Sequence, residues 1–240
     1  MRLLVVAAIG TMTLSGAAGR ALPWGDHGQM PSWTPDRDSP WEMEARFSPS
    51  GRFPHTEAFA YLPEVSIETV NDGAATVTRL YLPNGDLDEA ALDLLDEQLA
   101  DKRRPGDVRR QRIDRRLLAL VFKSAWALSA THVRVVSAFR DPLGHREGFH
   151  GKGQAIDFKL EGVRTPDLAR WLRENLAQVG VGQYTHPRTQ FVHLDVRAST
   201  FHWFDRSRPG RRGGIARIPT EGTAARDSAH RTTDDLPELR

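Results

Sequence analysis

Two short stretches of the chain hold the residue types that could do chemistry. In Phe149-His150-Gly151-Lys152-Gly153-Gln154-Ala155-Ile156-Asp157-Phe158, strand alternation from Gln154 puts Ala155 and Asp157 on one face and Ile156 and Phe158 on the other. An acid between two core-type residues is costly to bury unless its charge is compensated. His150 lies seven residues before Asp157, an odd offset that an unbroken strand would send to the opposite face. Gly151 and Gly153 allow a tight turn that folds His150 back toward the carboxylate. In Gln190-Phe191-Val192-His193-Leu194-Asp195-Val196, the residues Val192, Leu194 and Val196 share one face, and Phe191, His193 and Asp195 share the other. Set side by side, the two strands offer two imidazoles and a carboxylate, with Asp195 close by. Two nitrogens and one oxygen suit zinc in a catalytic arrangement that keeps a fourth position for water. Such a metal lowers the pKa of water from about 15.7 toward roughly 7. Taken singly, a strand histidine is more often a hydrogen-bonded structural residue, and an aspartate after a glycine turn is often only a cap.

The 240 residues include no cysteine. That removes disulfides, thiolate metal sites and cysteine nucleophiles together, so any metal must be held by His, Asp or Glu.

Several elements could position these groups. Thr76-Val77-Thr78-Arg79-Leu80-Tyr81-Leu82 alternates like a strand and runs into a turn at Pro83-Asn84-Gly85-Asp86. A helix follows from about Asp88, with Leu92, Leu95 and Leu99 on one face. A second starts at Asp114, a good N-cap, and groups Leu117, Leu118, Val121, Ala125 and Leu128. The arginine-dense stretch 101–112 between them reads as a solvated linker. Val133 to Phe139 reads as a mostly buried strand. A third helix is capped by Thr165, carries Pro166 in its first turn and ends at Gly180, with Leu168, Trp171, Leu172, Leu176 and Val179 as its apolar stripe.

The flanks differ in character. Residues 1–21 look like a signal peptide: a short basic start, an apolar run and then small residues. Residues 22–75, with Trp24, Trp33 and Trp41 among Pro, Gly and Ser, read as an irregular arm pinned by its aromatics. Residues 205–240 are poor in large apolar side chains and read as a disordered tail. The folded domain that carries these residues is therefore expected over residues 76–204. No internal stretch approaches the roughly 18 apolar residues of a membrane span, so no membrane association is expected after signal cleavage. A net charge of +2 without a concentrated basic patch argues against a nucleic-acid partner. Nothing in the sequence speaks to oligomeric state.

His150-x-x-Gly153-x-Ala155-x-Asp157, preceded by Ser137-Ala138-Phe139-Arg140 and followed by His193-x-Asp195, resembles the zinc D-alanyl-D-alanine peptidase and hedgehog-type metallopeptidase superfamily. Gly180-Val181-Gly182-x-Tyr184, leading to Phe191-Val192-His193-Leu194-Asp195, is similar to the YcbK/MepK-like murein endopeptidase branch. The resemblance covers about Leu80 to Trp203. It implies an α+β fold with helices packed on one side of a small antiparallel sheet. It also implies His150, Asp157 and His193 as zinc ligands, Arg140 as the group that binds substrate or steadies the oxyanion, and peptidoglycan peptide stems in the periplasm as the target.

The general base is left open. Many relatives carry Glu or His just before the last ligand, whereas positions 188–192 here read Arg-Thr-Gln-Phe-Val. Asp195 is the first candidate, as a base or as a group orienting a ligand, and His202 is the second. His186 and His145 read better as loop residues. The chain also has Arg197 where the branch often has Gly, Phe201 where it often has Arg, and no Thr-Asn after Arg140. The implied activity is endopeptidase cleavage of murein cross-links. The alternatives are a D,D-carboxypeptidase that trims terminal D-Ala and a zinc-stabilised wall-binding module without catalysis.

Overall fold

Aspartates start the first two helices. The Asp88 carboxylate accepts from the Ala90 and Ala91 N–H groups at 3.0 and 3.3 Å and opens α1 (Glu89–Leu99). Asp114 accepts from the Arg116 and Leu117 N–H groups and opens α2 (Arg115–Ala127). Each satisfies donors that a helix N-terminus otherwise leaves unpaired. In α3 (Thr165–Asn175) the cap position is Arg164, without a side-chain cap bond, and Thr165 is already helical with Pro166 beside it. A short α4 (Thr223–Ala229) follows late in the chain. The computed structural model describes residues 58–101, 112–140, 148–211 and 213–237. The expected signal peptide, Trp24, Trp33, Trp41, His145 and most of the arginine-dense linker lie outside the described residues.

Among the described residues eight strands form one sheet: β1 (Val65–Thr69), β2 (Ala75–Thr78), β3 (His132–Ser137), β4 (Ala155–Leu160), β5 (Val179–Tyr184), β6 (Phe191–Val196), β7 (Phe201–Asp205) and β8 (Ile215–Ile218). Their order is β2-β1-β3-β4-β6-β5-β7-β8. The β1–β3 and β5–β7 pairs are parallel and the rest antiparallel. The expectation of a small antiparallel sheet is thus corrected to a larger mixed one. Strand β1 comes from the stretch read as an irregular arm, and β8 and α4 come from the stretch read as a disordered tail. Short edge strands carry too few apolar residues for a periodic signal: β8 is exposed at three of its four positions.

One sheet face is the core. Ile156 and Phe158 on β4, Val192 and Leu194 on β6, and Val179 and Val181 on β5 form one buried cluster with Leu92 and Leu95 of α1, Leu117 and Leu120 of α2, and Leu168 and Leu172 of α3. Burying such side chains contributes on the order of 1.5–3 kcal/mol each. The expected helical stripe ended too late. Helix α3 stops at Asn175, and Val179 and Gly180 belong to β5. Glycine there is no helix stop: a Cβ on Gly180 would come 2.2 Å from Asp195 Oδ2 and 2.4 Å from an Arg197 guanidinium nitrogen. The site residues project from the face opposite this core.

Candidate metal centre

Strands β4 and β6 pair antiparallel with Ala155 opposite Asp195 and Asp157 opposite His193. Directly opposed residues on one face have Cβ atoms about 5 Å apart, so this register alone sets a carboxylate beside an imidazole. On the other side of β6, Gly180 and Gly182 of β5 oppose Asp195 and His193, and Gly182 pairs with Trp203 of the parallel strand β7. A Cβ on Gly182 would lie 2.3 Å from the Trp203 indole. The missing side chain lets that indole settle over the site, 5.2 Å from the His193 ring centre.

His150 arrives from the turn before β4. Phe149–Lys152 forms a 3-10 helix ended by Gly153 in the left-handed region, φ 69°. A Cβ at Gly153 would fall 2.0 Å from the Arg112 carbonyl oxygen. The turn therefore depends on Gly153 and not on Gly151, which has no left-handed backbone. The Gln154 N–H donates to the Phe149 carbonyl at 2.8 Å and the Arg140 N–H to the His150 carbonyl at 3.2 Å, which fixes His150 beside the end of β3. Its Nδ1 sits 2.7 Å from the Ala138 carbonyl oxygen. A carbonyl can only accept, so Nδ1 carries the proton and Nε2 is left bare.

His150 Nε2 is buried without a hydrogen-bond partner and lies 3.5 Å from Asp157 Oδ1. His193 Nδ1 lies 2.8 Å from that same oxygen. One ligand atom from each of His150, Asp157 and His193 falls within 4.8 Å of the others, the one such grouping among the described residues. A bare buried nitrogen beside a carboxylate and a second imidazole is a donor set that fits a divalent cation. Without thiolates it is a nitrogen and oxygen site.

The charges are tightly coupled. Burial alone would raise the Asp157 carboxyl, but the two imidazoles beside it, His193 at 2.8 Å and His150 at 3.5 Å, outweigh it and hold it well below the usual carboxylate range. Burial alone would lower His193, but its bonds to Asp157 and Asp195 carry it up to about 9. A metal at this site takes over the role that the proton on His193 plays in its absence.

The other expected residues divide. Arg140 is beside the site: its guanidinium is 3.6 Å from Asp157 Oδ2, and its side chain is half exposed. Asp195 is also beside the site, with both carboxylate oxygens engaged. It is fully buried, its Oδ2 is 3.1 Å from His193 Nε2, and Arg197 grips both oxygens, Nε to Oδ1 at 2.5 Å and Nη2 to Oδ2. His202 lies on the core face of the sheet. In register it pairs with Val181, which pairs with the core residue Leu194. Its ring is 3 % exposed, and burial, with Arg173 and Arg226 nearby, pushes it down to about 4. Its adjacency to Trp203 in sequence is what misled, since neighbours on a strand point to opposite faces. His186 is in the turn after β5, where its Nδ1 accepts from the Arg188 N–H.

Sequence reading missed the parts played by Trp203 and Arg197. The signal for Arg197 was present, because Asp195-x-Arg197 is a spacing of two that keeps an acid and a base on one strand face. No helix among the described residues is long and apolar enough to cross a membrane.

The family model described as Peptidoglycan L,D-endopeptidase MepK matches residues 63–203, which takes in all three ligand candidates. Proteins of that description from Escherichia coli (strain K12), Escherichia coli O157:H7 and Shigella flexneri are each 38% identical to this chain over 58 residues. The matched segment is 24% of this chain and spans 30% of the length of those relatives. No solved structure gives a significant match.

Proposed function

We propose, because this chain belongs to the family of Peptidoglycan L,D-endopeptidase MepK, that it is an exported zinc peptidase which hydrolyses peptide cross-links of bacterial peptidoglycan in the periplasm. One observation carries the reading: His150, Asp157 and His193 bring ligand atoms within 4.8 Å of one another, with His150 Nε2 buried and unpaired. Within this reading the architecture is of the hedgehog and D,D-peptidase type, enlarged at both sheet edges.

His150, Asp157 and His193 would hold the zinc, the metal suited to two imidazoles and a carboxylate. When bound, zinc supplies Lewis acidity and makes water a usable nucleophile near neutral pH. The chain's own residues do the rest. The Ala138 carbonyl holds His150 in the tautomer that bares Nε2. Asp195 holds His193 through Nε2. Arg140, half exposed at the rim, offers fixed donors to the peptide carbonyl oxygen as negative charge develops on it. Asp195 is a positioning residue in this scheme and not the acceptor of the water's proton, because both its oxygens are engaged.

Purified protein is incubated with sacculi, with and without a chelator, and released muropeptides are identified by mass spectrometry. Chelator-sensitive release restored by zinc is expected, with fragment masses that name the bond. Stoichiometric zinc binding with no release above a His150→Ala control would overturn the catalytic reading.

A further inference from the structure

Arg197 follows the last ligand strand and is engaged on two sides. Its guanidinium edge meets Asp195 as a two-pronged pair. Its plane is covered by aromatic rings, with Cζ 4.6 Å from the Phe149 ring centre, 5.6 Å from Phe201 and 6.0 Å from Trp203. Each contact leads to a different metal-ligand candidate. Asp195 Oδ2 is 3.1 Å from His193 Nε2. Phe149 immediately precedes His150, in the same 3-10 turn.

The chemistry of the pair matters more than its proximity. Asp195 is fully buried, and a buried carboxylate stays ionised only when paired and hydrogen-bonded. Arg197 supplies that compensation in the geometry a guanidinium matches best. An ionised carboxylate can only accept, so His193 donates to Asp195 through Nε2, and a metal held by His150, Asp157 and His193 would replace the Nδ1 proton that faces Asp157. Gly180 completes the arrangement, since a Cβ there would occupy the space of Asp195 Oδ2 and the Arg197 guanidinium.

We infer that Arg197 is a positioning residue for both histidines of the metal site: it locks Asp195, which sets the His193 tautomer, and it stacks on Phe149, which braces the turn carrying His150. The inference rests on the metal-site reading above and adds a residue that touches neither metal nor substrate.

The test compares wild type with Arg197→Met, which removes charge and fork, and Arg197→Lys, which keeps charge but loses the fork and the planar stack. Zinc affinity is measured by chelator competition, and the His193 tautomer by nitrogen-15 NMR of the zinc-loaded protein. Arg197→Met is expected to weaken zinc binding by about 10–100-fold and to lose the single Nε2–H tautomer of His193, with partial recovery in Arg197→Lys. Arg116→Met serves as a structural control. Arg116 bonds Asp235 and the Ala177 and Gln178 carbonyls, so it should lower Tm without changing zinc affinity. If Arg197→Met does not fold, Arg197→Lys carries the comparison. Zinc affinity and tautomer unchanged in the Arg197 variants, or an equal loss of zinc in Arg116→Met, would overturn the inference. Failure of wild type to bind zinc would instead sink the metal-site reading itself, and this inference with it.

Discussion

Asp157 and His193 are directly paired across the β4–β6 ladder, and His193 Nδ1 lies 2.8 Å from Asp157 Oδ1. Backbone register therefore builds two thirds of the candidate ligand set, and only His150 has to be delivered by a turn. A rigid sheet holds such groups more precisely than loops do.

Replacing Asp157 by Asn keeps the shape and removes the charge that draws the two imidazoles together. The variant is expected to retain its fold by circular dichroism while losing stoichiometric zinc on dialysis. Muropeptide release should fall to the chelator-treated background. Metal analysis alongside the sacculus assay checks both.

The metal-free protein should lose stability as pH rises from about 6.5 to about 9. His193 has its proton affinity raised on folding, from 6.5 to about 9. Between those values the folded state binds more protons than the unfolded state, so stability falls with pH. Thermal melts of chelated protein across this range would show the slope, and His193→Gln should flatten it. Zinc affinity should run the opposite way and tighten over the same interval, because the ligand must shed its proton.

Arg140→Ala should separate catalysis from metal binding. Arg140 contacts Asp157 only at 3.6 Å and is half exposed, so zinc content should be unchanged. Loss of a fixed donor at the developing oxyanion costs about 10²–10³ in rate. Zinc stoichiometry measured beside kcat/KM on a muropeptide decides it.

Gly182→Ala would force a Cβ to within 2.3 Å of the Trp203 indole. Overpacking of this kind costs about 1–3 kcal/mol, a Tm drop of roughly 2–4 °C per kcal/mol for a domain of this size. Because Trp203 covers His193, turnover should fall along with Tm. Melts and sacculus assays on the same preparation test both effects.

His202→Leu should leave hydrolysis at the wild-type rate, since the ring is on the core face of the sheet. Folding depresses its proton affinity from 6.5 to about 4, so wild type loses stability as pH falls through that interval. The variant should be more resistant to acid between those values, as read from Tm against pH. A loss of hydrolysis in His202→Leu without loss of fold would return His202 to the site.

Local patterns in the sequence carried a good part of the fold and the site. Period-two alternation sorted β4 and β6 into a core face and a chemical face, which put Asp157, His193 and Asp195 together. Asp88 and Asp114 announced their helices, because a short acid before an apolar stripe satisfies free N–H groups whatever lies elsewhere. Gly153 marked the turn that returns His150. Each of these signals depends only on residues a few positions apart.

Tertiary neighbours decided the rest. Gly180 read as a helix stop because a glycine after an apolar stripe fits that role equally well; only the approach of Asp195 and Arg197 shows that it clears space within a strand. His202 and Trp203 are adjacent in sequence, and which of them faces the metal site depends on the parallel register of β7 against β5. Asp195 had the right face and the right chemistry for a base, but the Arg197 fork commits it to holding His193. Alternation says which side chains share a face within one strand. It does not say what lies across the ladder or how closely two groups on that face meet, and for Asp195 the close pairing with Arg197 and His193 is what only the folded geometry decides.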